Sequence, residues 1–153
     1  MALDVGAAAP DFTLRNQHGE DIELSSFRGR SNVLLVFFPF AFSGVCTGEL
    51  QEIQRHLGEL TVGGTEVLAV SCDHVFSNRA FSDRDGYSFS ILSDFWPHGQ
   101  VSRAFGTFND AVGAPSRGSY IIDTAGVLRW KVEHNLSEAR DLGAYREALA
   151  ALG

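Results

Sequence analysis

The sequence predicts an α/β fold, a three-layer sandwich in which helices flank a mixed central β-sheet. Apolar runs typical of buried strands alternate with segments of helical periodicity along the chain. Tight turns near both ends of the chain indicate hairpins, and these require antiparallel pairs within the sheet. The length of 153 residues suits one domain, and no repeat or linker divides the chain. We therefore expect a single domain over residues 1–153.

The strands are predicted from alternation and from continuous apolar runs. Residues 12–14 and 22–24 alternate around a turn at 16–19, which predicts an added N-terminal hairpin. Residues 33–38 are apolar on both faces, as in a central buried strand. Further strands are predicted over 66–72, 88–92, 118–123 and 127–132, the last two joined by a tight turn at 124–126.

Helices are predicted over 44–60, 75–85, 98–105 and 137–152. In the first of them Val45, Leu50, Ile53, Leu57 and Leu60 recur at helical spacing. This helix directly follows the buried strand at 33–38, so its first turn should lie at the carboxyl end of that strand.

Composition and charge exclude several classes of function. The net charge of −7 argues against binding nucleic acid or an anionic membrane through a general basic field. No apolar run is long enough to cross a bilayer, and no signal peptide is visible at the N-terminus. Two cysteines are expected to be reduced thiols in a cytoplasmic protein.

The most informative segment is the turn from Pro39 to Glu49. The buried strand ends at Pro39, small residues follow, and Cys46 falls in the first turn of the predicted helix. Unpaired N–H groups and the positive end of the helix dipole favour a thiolate there. Cys46 is therefore the candidate nucleophile, the alternative being a small buried hydrophobic residue.

The spacing Pro39-x-x-x-Ser43-x-x-Cys46 resembles the active-site signature of the peroxiredoxins, in which proline, threonine or serine, and cysteine recur at these intervals. Glu49 and Arg117 also fit that family. The resemblance covers nearly the whole chain, and the stretches at 37–42 and 92–99 are most similar to the one-cysteine AhpE group of actinobacteria. It implies a thioredoxin-like fold and a thiol-dependent peroxidase. Its substrates would be hydrogen peroxide, organic hydroperoxides and peroxynitrite, reduced through a Cys46 sulfenic acid.

The resemblance also implies a role for each residue of the site. Arg117 would hold the thiolate and the peroxide oxygen together, although it could instead be a solvated arginine before a strand. The Ser43 hydroxyl would bind the peroxide oxygen, or it caps the helix. Glu49 would orient Arg117, or it is simply a carboxylate favoured near a helix N-terminus.

Three further residues are assigned to substrate binding on the same resemblance. Pro39 would shield the sulfur and shape the turn. The backbone N–H groups of Val45 and Cys46 would point toward the peroxide. Arg140 resembles an arginine that braces the carboxylate of Glu49, but it could equally be a surface partner of Asp141 or Glu138.

Thiolate formation alone does not explain fast peroxide reduction. An ordinary thiol with a pKa of about 8.5 is already roughly 3% thiolate at pH 7. Complete ionisation therefore raises the reaction rate about 30-fold, which lowers the activation free energy by about 2 kcal/mol. Part of this gain is lost because the nucleophilicity of a thiolate falls as the pKa of its thiol falls. The remaining acceleration must come from donors directed at the O–O bond in the transition state.

The second cysteine, Cys72, bears on how an oxidised Cys46 would be reduced. Cys72 follows the second buried strand, which is not a usual position for a resolving cysteine in peroxiredoxins. We expect a one-cysteine cycle completed by an external thiol, either a low-molecular-weight thiol or a thioredoxin- or mycoredoxin-like protein. No cofactor is expected, and no metal, because Cys72 and His74 supply too few ligands. The family resemblance also implies a homodimer or a higher homo-oligomer.

Aromatic residues suggest an apolar rim around the sulfur. Phe38, Phe40 and Phe42 lie near Cys46 in the sequence, and a second aromatic group lies at 95–97. Such a rim would shield the thiolate, accept hydrophobic hydroperoxides or contact a second subunit.

Two other functions share this fold class. A thioredoxin-type thiol–disulfide oxidoreductase would carry Cys-x-x-Cys, whereas this chain has Cys46-Thr47-Gly48-Glu49 and lacks the second sulfur. A noncatalytic binding or chaperone module would contain an unreactive Cys46.

Overall fold

A mixed β-sheet lies at the centre of the structure, a computed structural model that describes residues 3–134 and 142–152. The strands are β1 (Thr13–Arg15), β2 (Asp21–Glu23), β3 (Val33–Phe37), β4 (Glu66–Ser71), β5 (Ser90–Ser93), β6 (Phe108–Asn109), β7 (Ala114–Pro115), β8 (Arg117–Ile122) and β9 (Leu128–His134). In the described ranges, seven of them form one sheet in the order β2-β1-β5-β4-β3-β8-β9. β3, β4 and β5 run parallel, and the other neighbours are antiparallel. The predicted mixed sheet is confirmed.

The helices lie on both faces of this sheet. They are α1 (Gly44–Arg55), α2 (Leu57–Leu60), α3 (Val75–Asp85), α4 (Gln100–Ala104) and α5 (Leu142–Ala150), with a short 3₁₀ turn at Leu24–Phe27. The beginning predicted for the last helix, at Ser137, falls outside the described residues.

The alternation of side chains along β3 produces two cores. Leu34 and Val36 point to a cluster that includes residues of α1, α3 and α5. Leu35 and Phe37 point to the opposite cluster, which includes residues of α4 and the N-terminal segment. All five residues of β3 are buried, which explains its uninterrupted apolar sequence.

The helix predicted over 44–60 is wrong in its extent. α1 ends at Arg55, and His56 has φ −105° and ψ 16°, outside the helical region, before the short α2 begins. Gly58 lowers the helix propensity of this segment, so apolar spacing alone does not keep the helix continuous. The two-residue strands β6 and β7 are additional to the prediction, because strands so short have no period to detect.

The last helix is attached to the sheet by a tyrosine. Tyr145 of α5 is completely buried, and its hydroxyl is hydrogen-bonded to the hydroxyl of Ser119 of β8. Its ring packs edge to face against that of Trp130 of β9, with 5.6 Å between the ring centroids. This contact fixes α5 against the same strand that begins with Arg117.

Candidate active site

Cys46 lies in the first turn of α1, as predicted. The chain leaves β3, passes the buried Pro39, and enters α1 after Ser43, whose extended backbone has φ −68° and ψ 151°. The Cys46 side chain is 0% exposed. The first N–H groups of an α-helix have no acceptor within the helix, so those of Val45 and Cys46 are donors at the same end as the sulfur. The sulfur therefore lies in a buried, electropositive position.

Arg117 is the first residue of β8 and lies beside this turn. β8 pairs antiparallel with β3, and Val36 faces Ser119, so the beginning of β8 lies where β3 ends. The guanidinium is buried, with the whole residue 2% exposed, and its Nη2 donates to Cys46 Sγ at 3.3 Å. A solvated arginine, the alternative allowed by the sequence, does not describe this side chain.

Glu49 accepts a hydrogen bond from the other terminal nitrogen of Arg117. Glu49 lies three residues after Cys46 on the same helix, so both groups face the guanidinium. The ion pair is buried, with side-chain exposures of 3% for Arg117 and 4% for Glu49. A planar guanidinium has donors in fixed directions, and the carboxylate therefore determines where the donor to the sulfur points.

Ser43 is the N-cap residue of α1, but its side chain makes no capping hydrogen bond. Its Oγ is buried and has no hydrogen-bond partner among the described residues. Buried hydroxyls are normally satisfied, so an unsatisfied one three residues before Cys46 is available to a ligand. The structure thus separates the two alternatives for Ser43, since capping is not what occupies the hydroxyl.

The other predicted residues are placed as follows. Pro39 is buried directly after β3, and Val45, the second residue of α1, is 37% exposed. Arg140 lies outside the described residues, so its predicted role beside Glu49 stays a prediction.

Asp73 is a residue of the site that the sequence interpretation missed. Its Oδ2 accepts the backbone N–H of Ala41 at 2.8 Å, which anchors the loop between β3 and α1. Its carbonyl oxygen accepts from Ser93 Oγ at 2.6 Å. Because β3 and β4 are adjacent and parallel, their carboxyl ends meet, and a polar residue just after β4 was the available signal.

The residues around the end of α3 were also missed. Arg84 donates to Thr47 Oγ1 at 3.3 Å, and the Tyr87 hydroxyl donates to the Thr47 carbonyl at 3.3 Å. Burial raises the pKa of Tyr87, and the nearby Asp85 raises it further. These contacts hold the first turn of α1 from its outer side.

Cys72 is a buried thiol of different character. It is 6% exposed, and no disulfide involves it or Cys46. Burial raises its pKa to about 12, and the negative charges of Asp94 and Asp73 act in the same direction. At neutral pH Cys72 is therefore a protonated, weakly nucleophilic thiol.

The apolar rim differs from the prediction in one residue. Phe38 is 0% exposed and belongs to the core, because it continues the buried strand. Phe40, Phe42 and Phe95 are each 44% exposed, and Trp96 is 81% exposed. We call these four residues the aromatic rim. Phe40 and Phe42 belong to the loop that Asp73 anchors through Ala41, and the ring of Phe95 lies 5.1 Å from that of His74, the residue after Asp73, measured between centroids.

Neither a metal centre nor a membrane span is visible in the part of the chain that the structure describes. Within residues 3–134 and 142–152, no group of three or more His, Cys, Asp or Glu side chains could hold a metal ion. In those same ranges, no helix has the length and apolar character needed to cross a membrane.

Comparison with known proteins gives consistent matches. The model of the AhpC/TSA family matches residues 5–131. The chain is 44% identical over 150 residues to alkyl hydroperoxide reductase E of Mycobacterium tuberculosis, with 98% of each chain covered. It is 30% identical to the chloroplastic peroxiredoxin Q of Oryza sativa subsp. japonica, covering 96% of this chain and 67% of the relative.

A solved structure agrees with these sequence matches. The AhpC of Enterococcus faecalis superimposes with a TM-score of 0.89 at 25% identity, covering 99% of this chain and 93% of that one. The thioredoxin-like α/β fold predicted from the sequence is thereby confirmed.

Proposed function

Because this chain belongs to the AhpC/TSA family of peroxiredoxins, and is therefore a thiol-dependent peroxidase, we propose that it reduces hydroperoxides at the sulfur of Cys46. One observation supports this assignment above the others. A single buried guanidinium, that of Arg117, donates to both the Cys46 sulfur and the Glu49 carboxylate. A cysteine that only filled space in the core would not need a buried cation and its counter-ion.

The reaction begins with attack of the Cys46 thiolate on one peroxide oxygen. The S–O bond forms as the O–O bond breaks, and the departing oxygen takes the electron pair and then a proton. The products are a Cys46 sulfenic acid and an alcohol, or water when the substrate is hydrogen peroxide. Two electrons leave the sulfur, so the enzyme must be reduced before the next turnover.

The donors around the sulfur are suited to the transition state. The Arg117 Nη2 and the first N–H groups of α1 can stabilise negative charge on both the sulfur and the oxygen it attacks. The buried, unsatisfied Ser43 hydroxyl can bond the peroxide oxygen. Glu49 keeps Arg117 in this orientation. Pro39, buried directly after β3, would shield the sulfur, and the backbone N–H of Val45 would point toward the peroxide. We propose Arg140 as a brace for Glu49.

We propose that the return to thiolate uses an external thiol. The thiol attacks the sulfenic sulfur to form a mixed disulfide with loss of water, and a second thiol releases Cys46. Cys72 is a poor internal resolving residue because its pKa is raised to about 12. The reductant would be a low-molecular-weight thiol or a thioredoxin- or mycoredoxin-like protein, in a cytoplasm that keeps thiols reduced.

The aromatic rim suggests both a substrate preference and a subunit contact. Two of its members, Phe40 and Phe42, are exposed on the loop that leads into α1 and would favour organic hydroperoxides with apolar groups, in agreement with the alkyl hydroperoxide named for the mycobacterial relative. Trp96, at 81% exposure, is the most exposed of the four residues, and a second copy of the chain would cover it in a homodimer or higher oligomer. Peroxynitrite is a further substrate by the same chemistry.

Intact-mass spectrometry of reduced protein after one equivalent of hydrogen peroxide tests the cycle. We expect the mass of one added oxygen on Cys46, absent from Cys46→Ser, while Cys72→Ser behaves like the parent protein. Loss of two hydrogens with a Cys46–Cys72 bridge would contradict the one-cysteine cycle. A Cys46→Ser variant that removes peroxide as fast as the parent would contradict the assignment of the nucleophile.

A further inference from the structure

The backbone of Phe42 adopts a conformation that needs support from its surroundings. Its φ is +70°, in the left-handed region that residues other than glycine seldom occupy. A bulky residue stays in this region only when neighbouring contacts determine it. Phe42 immediately precedes Ser43, so its conformation sets the direction in which the Ser43 hydroxyl leaves the loop.

The support comes from α3. The Phe42 ring lies 5.1 Å from the ring of Phe81, measured between centroids, and the guanidinium carbon of Arg84 lies 4.9 Å from the Phe42 centroid. Phe81 is completely buried and provides a fixed surface on one side. Arg84 covers the ring as a cation, which is a favourable arrangement over an aromatic face.

Arg84 is itself held in place and reaches α1. Its Nε and Nη2 donate to the two carboxylate oxygens of Asp85 at 3.0 and 2.8 Å. The same Nη2 donates to Thr47 Oγ1 at 3.3 Å. One side chain therefore touches both Phe42 and Thr47, and the residues between these two positions include Ser43 and Cys46.

We propose that Arg84 is a positioning residue for peroxide reduction. It holds the left-handed turn at Phe42 and the first turn of α1 in one arrangement, so that the Ser43 hydroxyl faces the Cys46 sulfur. Arg84 does not touch the peroxide and acts through Ser43. The proposal rests on the proposed function, since it presupposes that oxidation takes place at Cys46.

A double-mutant cycle tests this positioning role. The second-order rate constant for Cys46 oxidation by hydrogen peroxide is measured by stopped-flow fluorescence for the parent, Arg84→Ala, Ser43→Ala and the double variant. We expect Arg84→Ala to lower the rate constant about 10-fold, because small displacements of an aligned group are costly. In the Ser43→Ala background, Arg84→Ala should change the rate constant by less than about twofold, because the effects of mutating two groups that act as one unit are not additive.

The chain offers a matched control on the same helix. Arg79 of α3 is exposed and forms an ion pair with Asp83 at 3.0 Å, as Arg84 does with Asp85, and no contact with α1 is described for it. Arg79→Ala should leave the rate constant unchanged. Arg84→Lys retains the charge but loses the planar group over Phe42, so its rate constant should fall between those of the parent and Arg84→Ala.

Each outcome has a defined meaning. An additive cycle, or an Arg84→Ala variant that is oxidised as fast as the parent, overturns the proposal. A lowered melting temperature in Arg84→Ala with an unchanged rate constant for Cys46 oxidation would show a merely structural role and also overturns it. Should Arg84→Ala not fold, Arg84→Lys in both backgrounds provides the same test. Failure of the proposed function is separate, because then the parent protein itself would show no oxidation of Cys46.

Discussion

The guanidinium of Arg117 lies 3.3 Å from the sulfur of Cys46, although 71 positions separate the two residues in the sequence. Antiparallel pairing of β8 with β3 produces this proximity, since the beginning of one strand meets the end of the other. The sheet register is thus as much a part of the site as the cysteine motif.

Replacing Arg117 by lysine should lower the second-order rate constant for Cys46 oxidation by about 10²–10³-fold. Lysine keeps the charge but loses the fixed pair of donors that serves the sulfur and Glu49 together. Stopped-flow kinetics with hydrogen peroxide measures the effect. Arg129→Lys is the control, because Arg129 forms an exposed ion pair with Asp123. Equal rate constants for Arg117→Lys and the control would refute this role of the guanidinium.

Ser43→Ala should separate substrate binding from helix capping. We expect oxidation to slow roughly 10- to 100-fold, the effect of losing a hydrogen bond to a charged group. The melting temperature should hardly change, because no capping bond is lost, whereas a capping serine normally contributes about 1 kcal/mol. Ser43→Thr keeps the hydroxyl and should stay active. A clear loss of stability with unchanged kinetics would favour the capping role instead.

Glu49→Gln should slow oxidation less than Arg117→Lys does and should also destabilise the fold. The amide retains an acceptor for Arg117, but the buried guanidinium loses its negative partner. Chemical denaturation and oxidation kinetics are measured together. The control is Glu52→Gln, on the same helix, where the pair with Arg55 is exposed and contributes little. Similar losses of stability in both variants would argue against a special role for the buried pair.

Stability at high pH should reveal the state of Cys72. Its pKa is raised from 9.0 to about 12 in the folded protein, so above pH 9 the unfolded chain binds fewer protons than the native one. The free energy of unfolding must therefore fall as the pH rises through this window, and any contribution of the buried thiol is fully present below pH 9. The free energy of unfolding of the parent and of Cys72→Ala is measured by chemical denaturation. The difference between the two should be constant at pH 7–8, and above that range the parent should lose stability relative to the variant. A difference independent of pH up to 11 would contradict the raised pKa.

Trp96→Asp should weaken self-association. A charge in the most exposed part of the aromatic rim would be expensive to bury between two copies of the chain. Analytical ultracentrifugation over a dilution series should show a larger dissociation constant than for the parent. Val62→Asp is the control, since Val62 is 71% exposed and lies outside the rim. A parent protein that is monomeric at micromolar concentration would remove the basis for this contact.

The sequence and the structure agree best where the information is local. The place of Cys46 in the first turn of a helix follows from local sequence, whereas roles for Ser43, Glu49 and Arg117 could be predicted only through the family pattern. Asp73 and Arg84 contact the segment around Cys46 through tertiary interactions that no local pattern contains. An arginine near the end of a helix is usually solvated, and nothing in the neighbours of Arg84 in sequence indicated its contacts with Phe42 and Thr47. The break at His56 was hidden for a similar reason, because apolar spacing continues through it.

The contact of Trp130 with Tyr145 gives Trp130 surroundings different from those of Trp96, and tryptophan fluorescence is sensitive to such a difference. Of the two tryptophans of the chain, Trp96 is 81% exposed, whereas Trp130 is partly buried and its ring packs against that of Tyr145 on α5. Their emission maxima should differ, and in the single chain a water-borne quencher should reach Trp96 more readily than Trp130. The protein thus contains, without any attached dye, one fluorophore that reports on its outer face and one that reports on its interior.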